Sequence, residues 1–188
     1  MISEKPLANQ ADTTGADAAG QSEQLLSGCT LCLEQCAQVL AAVSASDYCH
    51  RAGDTASVGA HTRHILDRYH CFLSGLTGDC IDYDARQRDP ALETHLEAAR
   101  CALGSLRRHL EAAWLAEDSA RLIQVRERVD QRLPPPDVSS TPAREMLALV
   151  SHSIHHLAII ALLMKARGYT LPAHIGKAPS TLAFENGA

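Results

Sequence analysis

Apolar positions in this chain recur at steps of three and four rather than two, which predicts helices that each bury one face. Four segments carry the rhythm. In the first, Leu25, Cys29, Cys32, Cys36, Val39 and Val43 form a seam of alternating four- and three-residue steps, so three cysteines lie on the inward stripe. The second starts at Ser57, a hydroxyl N-cap, and carries Val58, Ile65, Tyr69, Phe72 and Leu76 along one face until Gly75 and Gly78 end it. The third opens with Asp89-Pro90, a capping carboxylate followed by the residue whose missing N–H costs nothing at the first helical position. It repeats Leu92, Leu96, Ala99, Leu103, Leu106, Leu110 and Ala113 without a break. The fourth opens on Thr141-Pro142 and runs to Gly168, a residue suited to the left-handed position just past a helix end, with Lys165 and Arg167 matching the negative end of the dipole.

The remaining segments lack this periodicity. Residues 117–140 include RLIQVRERV and the run Leu133-Pro134-Pro135-Pro136, whose pattern does not choose between helix and strand, so they read as irregular. The tail beyond Leu171, with Pro172, Gly176 and Pro179, reads as an irregular loop folded back. The first 21 residues lack both the basic and the apolar parts of a signal peptide and read as a disordered leader. The expected fold class is therefore all-α: a four-helix bundle in a single domain, 22–188, with the tail 169–188 packed on it and a leader over 1–21.

Composition changes this picture in one respect. A chain of 188 residues fits one domain, and 46% hydrophobic with 21% charged residues excludes wholesale disorder. Aromatics are only 4%, whereas His reaches 10 and Cys 7, so the excess falls on side chains that bind metals and do thiol chemistry. The net charge is -5, and Lys5, Lys165 and Lys177 are the only lysines; without a Lys/Arg run, no nucleic-acid partner is expected. The longest uninterrupted apolar run, Leu157 to Met164, falls far short of the roughly 18 residues of a membrane span, so no membrane association is expected. The expected location is cytoplasmic, where cysteines stay reduced; their odd number also argues against a complete disulfide framework.

Histidines supply the candidate chemistry. In SHSIHHLAII of the fourth helix, His152 and His156 differ by about 40° and stack one turn apart, on the side of Leu149, Ile160 and Leu163. Burying imidazoles costs free energy unless each nitrogen finds a partner, and a metal ion is one such partner. The alternative is hydrogen-bonded histidines at the core boundary. In AHTRHILDRYH of the second helix, His61 and His64 are candidates for a third ligand. His61 lies about 40° from the stripe through Ile65 and His64 about 100°, so periodicity prefers His61. Asp67, one turn from His64, is placed to orient its ring or to ligate directly, and His70 reads as surface. Three protein ligands with an open fourth position is the layout of a catalytic zinc site.

Other candidates have plainer readings. Cys29, Cys32 and Cys36 in CTLCLEQC have thiolate-ligand or redox-pair potential, but a clean inward stripe reads first as packing of small apolar side chains. Cys49, Cys71, Cys80 and Cys101 show no ligand spacing. The stretch Asp82–Asp89 reads as a solvated, internally paired loop; if it folds over the metal end, Arg86 and Arg88 become forked holders of a carboxylate or phosphate. Glu145 reads as a first-turn carboxylate serving the helix dipole, with an acid or base role as the alternative.

The segments SVGAHTRHILDRYH and SHSIHHLAIIALL together resemble the DinB/YfiT-like metal-dependent proteins. The resemblance covers roughly 22–168 and implies a DinB-like four-helix bundle that binds a divalent metal through one histidine of helix two and a His-x3-His of helix four. In that family the helix-two ligand is followed by an apolar residue and then an acid, the pattern of His64, Ile65 and Asp67. The resemblance thus selects His64, His152 and His156 as metal ligands where periodicity leaned to His61. It further implies a metal-dependent enzyme with a small-molecule substrate, thiol-dependent S-transfer using a low-molecular-weight thiol as the first reaction class to test, and a homodimer. Zinc is the first metal expected, with nickel, iron or manganese as alternatives; no catalytic residue is assigned. The competing readings are a non-catalytic metal- or ligand-binding bundle and a cysteine-based redox or stress protein.

Overall fold

A computed structural model describes residues 11–187, with side chains from Asp17 onward. The protein is mostly helical. Its long helices are α1 (Ala11–Ala42), α3 (Val58–Leu76), α5 (Leu96–Leu115) and α6 (Pro142–Ala166); α2 (Ala45–Cys49), α4 (Pro90–Thr94) and α7 (Pro179–Glu185) are short. Helix α1 packs on α5 and α6, and so does α3. Among them lies one apolar core containing Leu33, Leu40, Ile65, Leu66, Tyr69, Phe72, Leu106, Leu110, Met146, Leu157 and Ile160.

The caps read from the sequence at Ser57 and Asp89 both form, Asp89 Oδ1 accepting from the Ala91 amide, and Thr141 caps α6 as well. Ser57 Oγ accepts from the Ala60 amide at the head of α3, and Thr141 Oγ1 from the Arg144 amide at the head of α6. Gly168 follows α6 with φ of 85°. The cysteine seam is also where it was expected. Cys29, Cys32 and Cys36 are buried, and the Sγ atoms of Cys29 and Cys32 lie 3.5 Å from the Met146 carbonyl oxygen and 3.9 Å from the Val150 carbonyl oxygen. Small side chains there let α6 come close to α1.

Four features differ from the expectation. Helix α1 begins at Ala11, so the second half of the segment expected as a leader is helical; residues 1–10 lie outside the described residues. Ala11, Ala16, Ala18 and Ala19 favour a helix there, against Gly15 and Gly20. The third predicted helix is two, α4 and α5, broken at His95, whose φ of -121° and ψ of 105° are extended. Leu92 and Leu96 are buried on either side of the break, which is why the apolar rhythm runs through it.

The third difference is a small sheet, which makes the chain not purely α. Strand β1 (Cys80–Asp82) pairs in parallel with β2 (Ile123–Arg126), which pairs antiparallel with β3 (Asp137–Ser140). Strands of three and four residues are too short to display a period, and Ile81 and Ile123 are their buried residues. Helix α3 ends tightly against this sheet: a Cβ on Gly75 would lie 2.7 Å from the Ile81 Cα. The fourth is α7 in a tail expected to be irregular; the tail packs back, as expected, through the Gly176 amide on Gln35 Oε1 at 2.8 Å and through buried Ile175.

By length and composition alone, α1 from Asp17 and α6 are each apolar enough to cross a membrane. The absence of a long uninterrupted run did not reveal this. Both also supply core residues, and the core helices of a folded domain have the same profile.

Candidate metal centre

Helices α3 and α6 pack against each other, and their histidine-bearing turns meet. One ligand nitrogen each from His64, His152 and His156 lies within 4.8 Å of the others. The ring centroids are 4.8 Å apart for His64 and His152, and 4.6 Å for the two pairs that include His156. All three side chains are half-buried. Exposed His155, whose ring is 5.1 Å from that of His156, marks the solvent side of the group.

The surroundings keep these rings neutral. Burial, helped by the Arg68 charge and the other histidines, pushes His152 down to about 3. Burial and then the guanidinium of Arg86 push His64 down to about 4, and burial with neighbouring His64 and His61 does the same for His156. A neutral imidazole retains the lone pair that a metal ligand needs. The three-imidazole group also passes a direct test of fit. Nε2 of His152 is buried without any hydrogen-bond partner, a cost that a metal ion at this point would remove.

His61, the candidate preferred by periodicity, stands beside the group. Its Nδ1 is 2.9 Å from Nδ1 of His156, so one of the two rings donates to the other. If His156 donates, its Nε2 is left free to ligate, the arrangement in which a neighbouring acceptor fixes a ligand's tautomer. Asp67 is almost fully buried one turn along α3; its Oδ2 is 3.9 Å from Arg63 Nε, and its Oδ1 has no partner. Burial raises its carboxyl above the ordinary range against the charge of Arg63. His70, read as surface, is half-buried instead. Its Nδ1 is unpartnered, and with Asp67 and Cys71 it lines a cavity of about 140 Å³ against β1.

Arginines complete the electrostatics. Arg63 pairs with Glu93, and buried Arg68 pairs with Glu127 while its guanidinium carbon lies 3.7 Å from the centre of the Tyr83 ring. Tyr83 donates to Glu145 Oε2 at 3.0 Å, and Ser140 donates to Oε1 at 2.6 Å. Glu145 therefore fastens α6 to the sheet and is buried rather than poised as an acid or base. Sequence reasoning did not single out Arg68, although its i,i+4 relation to His64 places it on the same face. Arg86 reaches the site from the loop after β1, with Nη1 2.9 Å from Nδ1 of His64. Arg88 is exposed, with φ of 52°.

The cysteines are not part of this group. Burial pushes the thiols of Cys29, Cys32 and Cys36 up to about 12, so they are protonated and unreactive at neutral pH. Comparison with curated proteins and with solved structures gives no match. The model of the DinB family, in contrast, matches residues 24–180, most of the chain and all of its long helices' buried parts. Together with the helix order and the histidine pattern, that match establishes that this chain belongs to the DinB family.

Proposed function

We propose that the protein is a metal-dependent enzyme acting on a small molecule, built as a four-helix bundle of the DinB type with His64, His152 and His156 as ligands of a divalent ion. The observation that carries this reading is the unpartnered, buried Nε2 of His152, whose ring lies 4.8 Å from that of His64 and 4.6 Å from that of His156. Zinc suits a three-imidazole donor set best, with nickel, iron and manganese as alternatives. When bound, such an ion supplies a Lewis acid with an open position, where the pKa of a water or thiol falls.

The chain's own residues provide the rest. His61, hydrogen-bonded to His156, orients it, and burial, followed by the charges of Arg68 and Arg86, holds His152 and His64 in their neutral form. Exposure on the His155 side leaves a route for a small molecule. S-transfer from a low-molecular-weight thiol is the reaction class we assign, in keeping with the family and with a cytoplasmic setting where such thiols are reduced. The protonated, buried cysteine seam speaks against the redox-sensor alternative.

X-ray absorption at the zinc edge tests this reading. The expected spectrum of the zinc-loaded protein shows three imidazoles and one oxygen, and the oxygen gives way to sulfur when a small thiol is added. A fourth protein ligand, or a spectrum unchanged by thiol, would overturn the enzymatic assignment.

A further inference from the structure

Arg86 makes a contact that metal loading must break. Arginine only donates, so its Nη1 at 2.9 Å from His64 Nδ1 requires that Nδ1 accept, which places the ring proton of neutral His64 on Nε2. A metal taken at Nδ1 competes for the same lone pair. A metal taken at Nε2 moves the proton to Nδ1, where it would face a guanidinium N–H. Whichever nitrogen ligates, Arg86 loses its partner.

What the freed guanidinium then faces follows from charge. Arg63 and Arg68 have Glu93 and Glu127 as partners, whereas Arg86 forms no ion pair among the described residues, and its Nε is buried without any partner. A divalent ion on three neutral imidazoles beside this cation leaves three positive charges and no carboxylate in the ligand set. The nearest internal carboxylate, Asp67, has Oδ2 3.9 Å from Arg63 Nε and an unpartnered Oδ1, and no ion pair joins it to Arg86 among the described residues. Resting on the metal-site reading above, we infer that Arg86 is the substrate-anchoring residue. It leaves His64 when the site is loaded and grips a carboxylate of the small molecule in a forked contact beside the open position. A carboxylate fits better than a phosphate because a single unpaired guanidinium offers one charge and a planar fork.

Titration of the full chain with Co2+, read by its visible absorption, tests this with acetate and inorganic phosphate as probes. In the parent protein, acetate is expected to tighten Co2+ binding and shift the bands. Arg86→Met is expected to bind Co2+ at least as tightly as the parent, since a competitor for His64 is gone, while acetate binding weakens by about ten-fold or more. Arg86→Lys, which keeps the charge but not the fork, is expected to weaken acetate binding several-fold and serves equally if the Met variant does not fold. Three results would overturn the inference: loss of Co2+ binding in Arg86→Met, an acetate response undiminished in both variants, or phosphate preferred over acetate by the parent. A parent that binds Co2+ but ignores acetate would also overturn it and leave the metal site standing. A parent that binds no Co2+ would overturn the metal site itself and this inference with it.

Discussion

The head of α3, which carries His61 and His64, is held against α4 by a close approach that only glycine permits. A Cβ built on Gly59 would lie 2.0 Å from the Glu93 carbonyl oxygen and 2.9 Å from both the Glu93 carbonyl carbon and Tyr48 Cε1. Two of those three atoms are backbone, so Gly59→Ala must push α4 away, and with it the Glu93 carboxylate that pairs with Arg63. Overpacking of this kind costs about 1–3 kcal/mol or more. Gly104, in the middle of α5, is the internal control. A Cβ there meets nothing closer than the end of the Arg108 side chain at 3.9 Å, so Gly104→Ala gains the helix propensity of alanine, about 0.5–1 kcal/mol. For a domain of this size, 1 kcal/mol moves Tm by about 2–4 °C. Thermal unfolding is thus expected to show Gly59→Ala lower by about 2–12 °C and Gly104→Ala higher by about 1–4 °C. A Gly59→Ala protein as stable as the parent would refute the packing described for α3 and α4.

Two further outcomes follow from the titrating groups. With thiols at about 12, Cys29, Cys32 and Cys36 are expected to resist a thiol reagent at pH 8 in the native protein, while exposed Cys49 and Cys101 react quickly; rapid labelling of the α1 cysteines would contradict their burial. The metal-free protein is expected to lose stability on acidification. His64, His152 and His156 titrate near 6.5 when unfolded and at about 3–4 when folded, so between those values the unfolded chain binds more protons and stability rises with pH. Denaturant titrations from pH 7 to pH 4 are expected to show a shallower loss in His152→Gln; an identical slope would place His152 outside the buried group.

Much of this fold was legible because its signals are periodic or chemical. The seam from Leu25 to Val43, the Ser57 and Thr141 caps and the turn after Gly168 all obey local rules that the structure keeps. The break at His95 was not legible, because buried Leu92 and Leu96 keep the apolar register across it. Nor was the sheet, whose strands are too short to show a period and whose first strand pairs with residues some 40 positions away, such as Ile81 with Val125. At the site, angular position on α3 favoured His61, while the family pattern favoured His64. In the structure His64 stands with His152 and His156, and His61 lies within hydrogen-bonding distance of His156. The Arg86 contact depends on where a loop lands, which no helical period encodes.

Metal stoichiometry and affinity across histidine variants show whether His64, His152 and His156 together hold one divalent ion. The parent is expected to bind about one equivalent of zinc, His152→Ala and His156→Ala to lose it, and His61→Ala to keep the equivalent with affinity weakened by about 10–100-fold. An equivalent retained in His152→Ala, or none in the parent, would show that these three histidines are not the ligands of one ion.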